Sequence, residues 1–93
     1  MNKQCVIFGK RWFDKINGNT YHSVEIYIDS QYFGGKDFEY GYDDHYKQTA
    51  MEVLSQYQGY ERKEKEMPWN YFERIFGDKC LFFVCNVNRK KDL

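Results

Sequence analysis

"KRWFDKINGNTYHSV", Lys10 to Val24, contains a turn between two segments rich in aromatic and β-branched residues. The pair Asn17-Gly18 tolerates the positive φ angles of a type I′ turn, whose twist matches that of a β-hairpin. We therefore predict a first strand over residues 4–13 and a second strand over residues 20–29.

The two strands of this hairpin have two different faces, because successive residues of a strand point in opposite directions. With a loop of two residues, Phe13 would pair with His22. The first face is mostly aliphatic and is predicted to be the core face: Cys5, Ile7, Gly9, Arg11, Phe13, His22, Val24, Ile26 and Ile28. The second face is aromatic with a lysine beside the rings: Phe8, Trp12, Tyr21, Tyr27 and Lys10. Such a face is too aromatic for an ordinary solvated surface and is a candidate site.

A third strand and a long helix follow the hairpin. A turn over residues 29–37 leads to a strand over residues 38–42. The apolar period then changes from that of a strand to that of a helix. The apolar stripe of this helix consists of Tyr46, Ala50, Val53, Leu54 and Tyr57. Asp43 or Asp44 is expected to be its N-cap, and Gly59 is expected to follow its end.

The second half of the chain adds a shorter helix and a last strand. Pro68 suits the first turn of a helix over Pro68–Phe76, which Gly77 would end. The predicted apolar side of this helix holds Trp69, Phe72 and Phe76. The run "CLFFVCNV", Cys80–Val87, is apolar in both alternating sets, which predicts a strand covered on both faces or covered on one and used on the other. The charged run Glu61–Glu66 is interpreted as a solvated connector, either a mobile loop or the start of a helix, and not as a site.

The element order β-β-β-α-α-β predicts an α+β fold with both helices packed on one face of an antiparallel sheet of about four strands. A chain of 93 residues can bury one core but not two, so residues 1–93 are expected to form a single domain. Because the first and last strands are apolar on both sides, we place them together in the centre of the sheet and predict the strand order 3-2-1-4, or an order with the last strand inserted near the first.

The net charge of the chain argues against some classes of function. Fourteen basic and fourteen acidic residues cancel, whereas a general nucleic-acid binder normally carries a large positive excess. The charge is unevenly distributed, with an acidic stretch over residues 37–44. The sequence predicts neither a membrane span nor a signal peptide, so we expect a cytoplasmic protein without a membrane partner.

Side chains with catalytic or metal-binding chemistry are few. The three cysteines, Cys5, Cys80 and Cys85, include no CxxC pair. They indicate neither a disulfide framework nor a zinc site and are interpreted as buried thiols. His22 is predicted to be structural, and the two aspartates before His45 are better explained by helix capping than by a metal. We therefore assign no catalytic residue, no cofactor and no metal site.

Two blocks of the sequence carry a family resemblance. "RWFDKINGNTYHSVEIYI", followed by "YGYDDHYKQTAMEVL", resembles a group of small phage proteins that share RWF, GNTYHSV, YGY and QTA blocks. The likeness covers about residues 11–54. The family has no assigned activity, so the resemblance implies phage origin and supplies no catalytic residue.

A partner-binding function fits this profile best. A small, charge-balanced, aromatic-rich phage protein is expected to bind a host protein or protein complex and to inhibit it, for example a host defence system such as CRISPR. The expected partner-binding residues are Lys10, Trp12, Tyr21, Tyr27, Tyr40, Tyr42, Asp43 and Asp44. In one variant of this interpretation, the acidic stretch mimics nucleic acid and fills a cationic channel.

Other interpretations stay open. The aromatic face could stack single-stranded nucleic acid, with Lys10 and Arg11 beside Trp12 and Tyr27. It could be buried in a homodimer, or be covered by the second helix or the segment "QYFGG". A third class is a small phosphodiesterase or nuclease using both histidines, although no spacing selects it and an enzyme is not expected.

Overall fold

A four-stranded sheet and two helices make up residues 3–93, the part of the chain that the computed structural model describes. The elements are β1 (Cys5–Asp14), β2 (Asn19–Ile28), β3 (Gln31–Tyr40), α1 (His45–Leu54), α2 (Pro68–Phe76), β4 (Cys80–Val87) and a short 3₁₀ helix (Lys90–Asp92). The strand order is β3-β2-β1-β4, as predicted. The α+β class is therefore confirmed.

The loop between β1 and β2 is longer than predicted. Asp14 pairs with Asn19, which leaves residues 15–18 in the loop. The Asp14 carboxylate organises this loop by accepting hydrogen bonds from the backbone N–H of Ile16 at 3.0 Å and from the side-chain amide of Asn17 at 2.8 Å. The hydrogen bond from Asn17 also lowers the pKa of Asp14. A side chain before the Asn-Gly pair, and not the pair alone, thus sets the length of the turn.

The register of the hairpin differs from the predicted one. The pairing of Phe13 with His22 is wrong, because Arg11 lies opposite His22. The difference is an even number of residues, so every side chain keeps its predicted face.

β3 begins at Gln31 and not at residue 38, so the segment predicted as a turn is a strand. The turn consists of Asp29 and Ser30 alone, with φ angles of 51° and 69°. Positive φ at both positions is the geometry of a type I′ hairpin turn, although no glycine marks it. β3 also shifts register twice against β2, and these irregularities disturb the alternation by which a strand is recognised.

β4 runs parallel to β1, from Cys80 opposite Cys5 to Val87 opposite Trp12. The sheet is therefore mixed, and the prediction of a purely antiparallel sheet is wrong. α1 and α2 together return the chain to the end of the sheet at which β1 begins, and a strand that starts there runs parallel to β1. β4 is also an edge strand, so the prediction of a central position for the last strand is wrong, and Leu81, Phe83 and Val84 are exposed.

α1 ends at Leu54, so Tyr57 and Gly59 lie beyond the helix and its predicted length is wrong. Asp44 occupies the N-cap position, but its side chain makes no capping hydrogen bond. The buried residues of α1 are Tyr46, Thr49, Ala50, Met51 and Leu54. Three of the five positions predicted for the apolar stripe are therefore in the core.

α2 has the predicted limits, with Pro68 in its first turn and Gly77 at its C-cap. Its buried side differs from the prediction, because Trp69 is 66% exposed and Tyr71 is buried instead. The Tyr71 hydroxyl donates a hydrogen bond to the carbonyl of Tyr60. This bond satisfies the polar tip of an otherwise buried ring.

The connector before α2 is folded and not merely solvated. Glu66 is buried and accepts two hydrogen bonds from the Arg74 guanidinium, at 2.7 and 2.8 Å, and one from the backbone N–H of Lys63 at 3.0 Å. The Arg74 hydrogen bonds hold the pKa of Glu66 at about 2. The interpretation of residues 61–66 as a solvated connector is therefore wrong at its last residue.

Both helices cover the same face of the sheet, and the core lies between the two layers. The buried apolar residues are Cys5, Ile7, Val24, Ile26, Ile28, Tyr46, Ala50, Met51, Leu54, Tyr71, Phe72 and Phe76. The face predicted to be the core face is thus confirmed, except that Phe13, predicted on it, is 54% exposed because the core ends at His22. None of the helices in residues 3–93 combines the length and apolarity that crossing a membrane requires.

Candidate binding surfaces

The opposite face of the sheet carries aromatic side chains and is covered by neither helix. This surface, the aromatic face, consists of Phe8, Trp12, Tyr21, Tyr27, Tyr32, Phe38, Tyr40 and Phe83. α1 and α2 pack on the other face, against the buried residues of β1 and β2. The interpretation in which α2 or the segment "QYFGG" covers the aromatic face is therefore wrong, and that segment is part of β3.

The first cluster of rings on the aromatic face spans all four strands. Phe8 stacks on Phe83 with ring centroids 5.3 Å apart, and Tyr27 meets Phe8 edge-on at 5.7 Å. Tyr32 continues the row at 5.7 Å from Tyr27. The exposed fractions are 42% for Phe8, 49% for Phe83 and 61% for Tyr32. These rings contact their neighbours within the sheet but keep a large free surface.

The second cluster lies at the hairpin end of the same face. Tyr21 stacks between Phe38, at 4.7 Å, and Trp12, at 5.9 Å, and meets Tyr40 edge-on at 5.7 Å. The Lys90 ammonium lies 4.9 Å from the centroid of the Phe38 ring, within the range of a cation–π contact. The basic tail therefore reaches the border of the aromatic face.

Lys10 lies between the two clusters, in register with Ser23 of β2 and Cys85 of β4. The carboxylate of Glu25, on the same face, accepts a hydrogen bond from the Tyr27 hydroxyl at 3.1 Å, which raises the pKa of Tyr27. One cation and one anion thus accompany the rings near the centre of the face.

Five of the residues predicted to bind a partner lie together on the aromatic face: Lys10, Trp12, Tyr21, Tyr27 and Tyr40. Tyr42, Asp43 and Asp44 do not, because they follow the end of β3 in the connection to α1. The prediction missed Tyr32, Phe38 and Phe83 as members of the face. The double apolar alternation of β4 was the signal for Phe83, whereas the bulges of β3 concealed Tyr32.

Of the four acidic side chains in residues 37–44, one forms an ion pair within residues 3–93. Glu39 pairs with Lys36 at 3.0 Å, and this contact lowers the pKa of Glu39. The backbone carbonyl of Asp43 accepts a hydrogen bond from Arg11. Part of the negative charge is therefore compensated locally.

The two histidines are neighbours, with ring centroids 5.3 Å apart. His22 is fully buried, and its Nδ1 and Nε2 lie 3.1 Å from the Gly41 carbonyl oxygen and 2.6 Å from the Thr49 hydroxyl. A neutral ring that donates to the carbonyl and accepts from the hydroxyl fits these contacts, and burial lowers the pKa of His22. Because both nitrogens are engaged, His22 has the environment of a structural histidine. His45 is exposed and has its Nδ1 3.1 Å from the Tyr40 carbonyl oxygen.

The cysteines differ in their environments. Cys5 is buried, Cys80 beside it is half-buried, and Cys85 is exposed on the aromatic face, so the interpretation of all three as buried thiols is wrong for Cys85. The hydrogen bond with the Cys80 thiol and burial both raise the pKa of Cys5.

A cavity of about 630 Å³ opens at the hairpin end of the covered face. Its lining includes Arg11, Phe13, Lys15, Thr20, Tyr42 and Asn86. The first four belong to the stretch Lys10–Val24. The placement of Arg11 beside Trp12 and Tyr27 in the nucleic-acid interpretation is wrong, because Arg11 lies on the covered side of the sheet. The cavity exists because the core ends at His22, before the strands of the hairpin do.

A groove of about 600 Å³ separates the beginning of α1 from the beginning of α2. Its lining includes Tyr40, Tyr42, His45, Lys47, Met67 and Trp69. Trp69 and Met67 are both exposed at this groove.

Comparison of the chain with known protein families, with curated proteins and with solved structures gives no match.

Proposed function

We propose that this chain is a binding protein without enzymatic activity whose aromatic face contacts a partner protein. The observation that carries the proposal is the pair of ring clusters on a sheet face that neither α1 nor α2 covers. Aromatic side chains anchor many protein interfaces, because each buries a large apolar area at a low cost in side-chain entropy.

The charge of the molecule supports a protein partner over nucleic acid. The chain has no net charge, and Lys10 and Glu25 balance one another near the centre of the aromatic face. Binding to a phosphate backbone depends on an excess of cations, whereas the centre of a protein interface is depleted of charge. The centre of the aromatic face has no excess of cations and therefore resembles the centre of a protein interface.

The resemblance to phage proteins suggests that the partner is a protein or protein complex of the host, in the host cytoplasm. By occupying a surface of that partner, the chain would inhibit it. A component of a host defence system such as CRISPR is the partner class that we propose.

Two tryptophans provide a matched test of the interface. Trp12 lies on the aromatic face and Trp69 on α2, so Trp→Ala removes the same side chain from two separate surfaces. Once affinity purification from infected host cells has identified a partner, its affinity for each variant is measured by calorimetry. We expect Trp12→Ala to weaken binding at least tenfold and Trp69→Ala to leave it unchanged. The reverse result would move the interface to the groove beside α2 and refute the proposal.

Single-stranded nucleic acid is the second candidate, because Lys10 and Lys90 place cations beside both ring clusters. Stacked bases with flanking cations predict an affinity that falls steeply with salt. A salt series with a fluorescent oligonucleotide distinguishes the two functions. Binding at low salt that disappears in Trp12→Ala would favour nucleic acid, whereas the partner proposal predicts no oligonucleotide binding.

A homodimer through the aromatic face is a separate alternative. Sedimentation equilibrium is expected to show a monomer at micromolar concentration. A dimer that Trp12→Ala dissociates would assign this surface to self-association.

A further inference from the structure

We propose that the cavity around Arg11 binds a nucleoside monophosphate, with its phosphate at Arg11 and Lys15 and its base beside Phe13 and Tyr42. This site lies on the covered side of the sheet, opposite the Trp12 side, and the inference does not rest on the proposed partner interface. The residues of Lys10–Val24 that line this cavity are not members of the aromatic face.

The Arg11 guanidinium is held in place by neutral acceptors. Its Nε donates to the side-chain carbonyl of Asn86 at 3.1 Å, and its Nη1 donates to the backbone carbonyl of Asp43 at 3.2 Å. Within residues 3–93, no carboxylate forms an ion pair with it. A guanidinium has further N–H donors in a planar fork that matches the oxygens of a phosphate. Arg11 is thus oriented by its neighbours while its charge stays available.

The charge of the lining favours an anionic ligand. Lys15 lines the same cavity from the hairpin loop, and Asp43 is the one acidic side chain in the described lining. Two cations against one carboxylate leave a positive excess, which favours an anionic ligand, and the planar fork of the Arg11 guanidinium fits a phosphate group. The Thr20 hydroxyl and the Asn86 amide supply neutral polar groups beside the two cations.

The aromatic side chains of the lining indicate a ligand larger than an inorganic ion. Phe13 is 54% exposed and Tyr42 is 65% exposed, although both line a cavity. A volume of about 630 Å³ lies within the usual range for small-ligand sites and exceeds what a phosphate alone would fill. Exposed rings beside bound phosphate are the combination that stacks nucleobases.

The test uses the full chain, labelled with ¹⁵N, and four probes: adenosine 5′-monophosphate, uridine 5′-monophosphate, adenosine and inorganic phosphate. We expect both monophosphates to shift the amide resonances of residues 11–15 and 86–88. Adenosine and inorganic phosphate should each bind at least tenfold more weakly than adenosine 5′-monophosphate. If adenosine binds as well as its monophosphate, or if no phosphate compound shifts these amides, the inference is wrong.

Variants test the phosphate-binding residues and the base-binding residues separately. Lys15→Met and Arg11→Met should each weaken monophosphate binding at least tenfold, because a charge-assisted contact is lost. Lys79→Met, at the opposite end of the sheet, is the control and should bind as the parent chain does. Phe13→Ala should weaken monophosphate binding but leave the weak binding of inorganic phosphate unchanged.

Thermal unfolding checks that each variant folds. If Arg11→Met does not fold, Lys15→Met and Phe13→Ala decide the question, since both side chains are exposed. Equal affinity of Lys15→Met and the parent chain would overturn the phosphate assignment. Equal affinity of Phe13→Ala and the parent chain would overturn the nucleoside assignment.

Discussion

Phe72 and Phe82 contact one another at 5.3 Å on the covered side of the sheet, and Phe8 and Phe83 contact one another at the same distance on the open side. The exposed fraction is 2% for Phe72 but 49% for Phe83. A ring contact within a layer therefore does not bury a ring, because burial needs a second layer above it. α2 supplies that layer on one side, whereas neither α1 nor α2 covers the rings on the other side.

The strongest test of this difference is truncation of one ring on each side. Phe72→Ala should lower the free energy of unfolding by about 3–5 kcal/mol, because it removes a fully buried ring and leaves a cavity. Phe83→Ala should lower it by less than about 1 kcal/mol. Urea unfolding followed by circular dichroism measures both values. Equal losses would mean that the open side contributes to stability as the core does.

The two histidines extend the comparison to polar groups. His22→Ala should cost about 2–4 kcal/mol of unfolding free energy, since it leaves the Gly41 carbonyl and the Thr49 hydroxyl buried without their partner. His45→Ala, at an exposed ring, should cost less than about 1 kcal/mol. The same urea titration applies. A stable His22→Ala variant would remove the structural role assigned to His22.

Two glycines test how closely the covering layer approaches the sheet. A Cβ at Gly9 would lie 2.6 Å from Cδ2 of Tyr46, whereas at Gly34 its nearest neighbours are 3.8 Å away. Gly9→Ala should therefore cost about 1–3 kcal/mol through overpacking. Gly34→Ala should stay within about 0.5 kcal/mol of the parent chain. If Gly9→Ala is harmless, α1 lies farther from β1 than described.

The smallest expected effect concerns pH and the ion pair that fixes the connector to α2. The pKa of Glu66 lies at about 2 in the folded chain, against an ordinary value of 4.5. Its contribution to stability is therefore complete above about pH 4.5 and is lost as the pH falls toward 2. Thermal midpoints between pH 2 and 7 should fall less steeply for Glu66→Gln than for the parent chain. Identical slopes would show that the Arg74 contact does not stabilise the fold.

The sequence predicted those features that short-range patterns determine. The alternation in β2 identified both faces of the hairpin, and the register error left them unchanged because it was even. Pro68 and Gly77 marked the limits of α2, because a ring-fixed φ and a glycine cap act locally. The aromatic face was therefore a sound candidate before its surroundings were known.

The remaining features depend on contacts between distant residues. Whether β4 runs parallel or antiparallel follows from the path of both helices, which no local pattern encodes. Tyr71 replaced Trp69 in the core because its hydroxyl reaches Tyr60, eleven residues away. The cavity at Arg11 arises where the core ends, at a contact between Arg11 and Asn86 that are 75 residues apart.

The parallel pairing of β1 with β4 also orders the events of folding. The β1–β2 hairpin closes over a short loop, but β1 cannot acquire its second neighbour until the chain has formed contacts 75 residues apart. Until β4 pairs with β1, one edge of β1 is unpaired and Phe72 lacks its contact with Phe82. We expect the three-stranded meander with α1 to form early and the α2–β4 unit to dock late. Amide hydrogens of β4 should consequently exchange first in native-state experiments, which makes this edge the part of the molecule most often open to solvent.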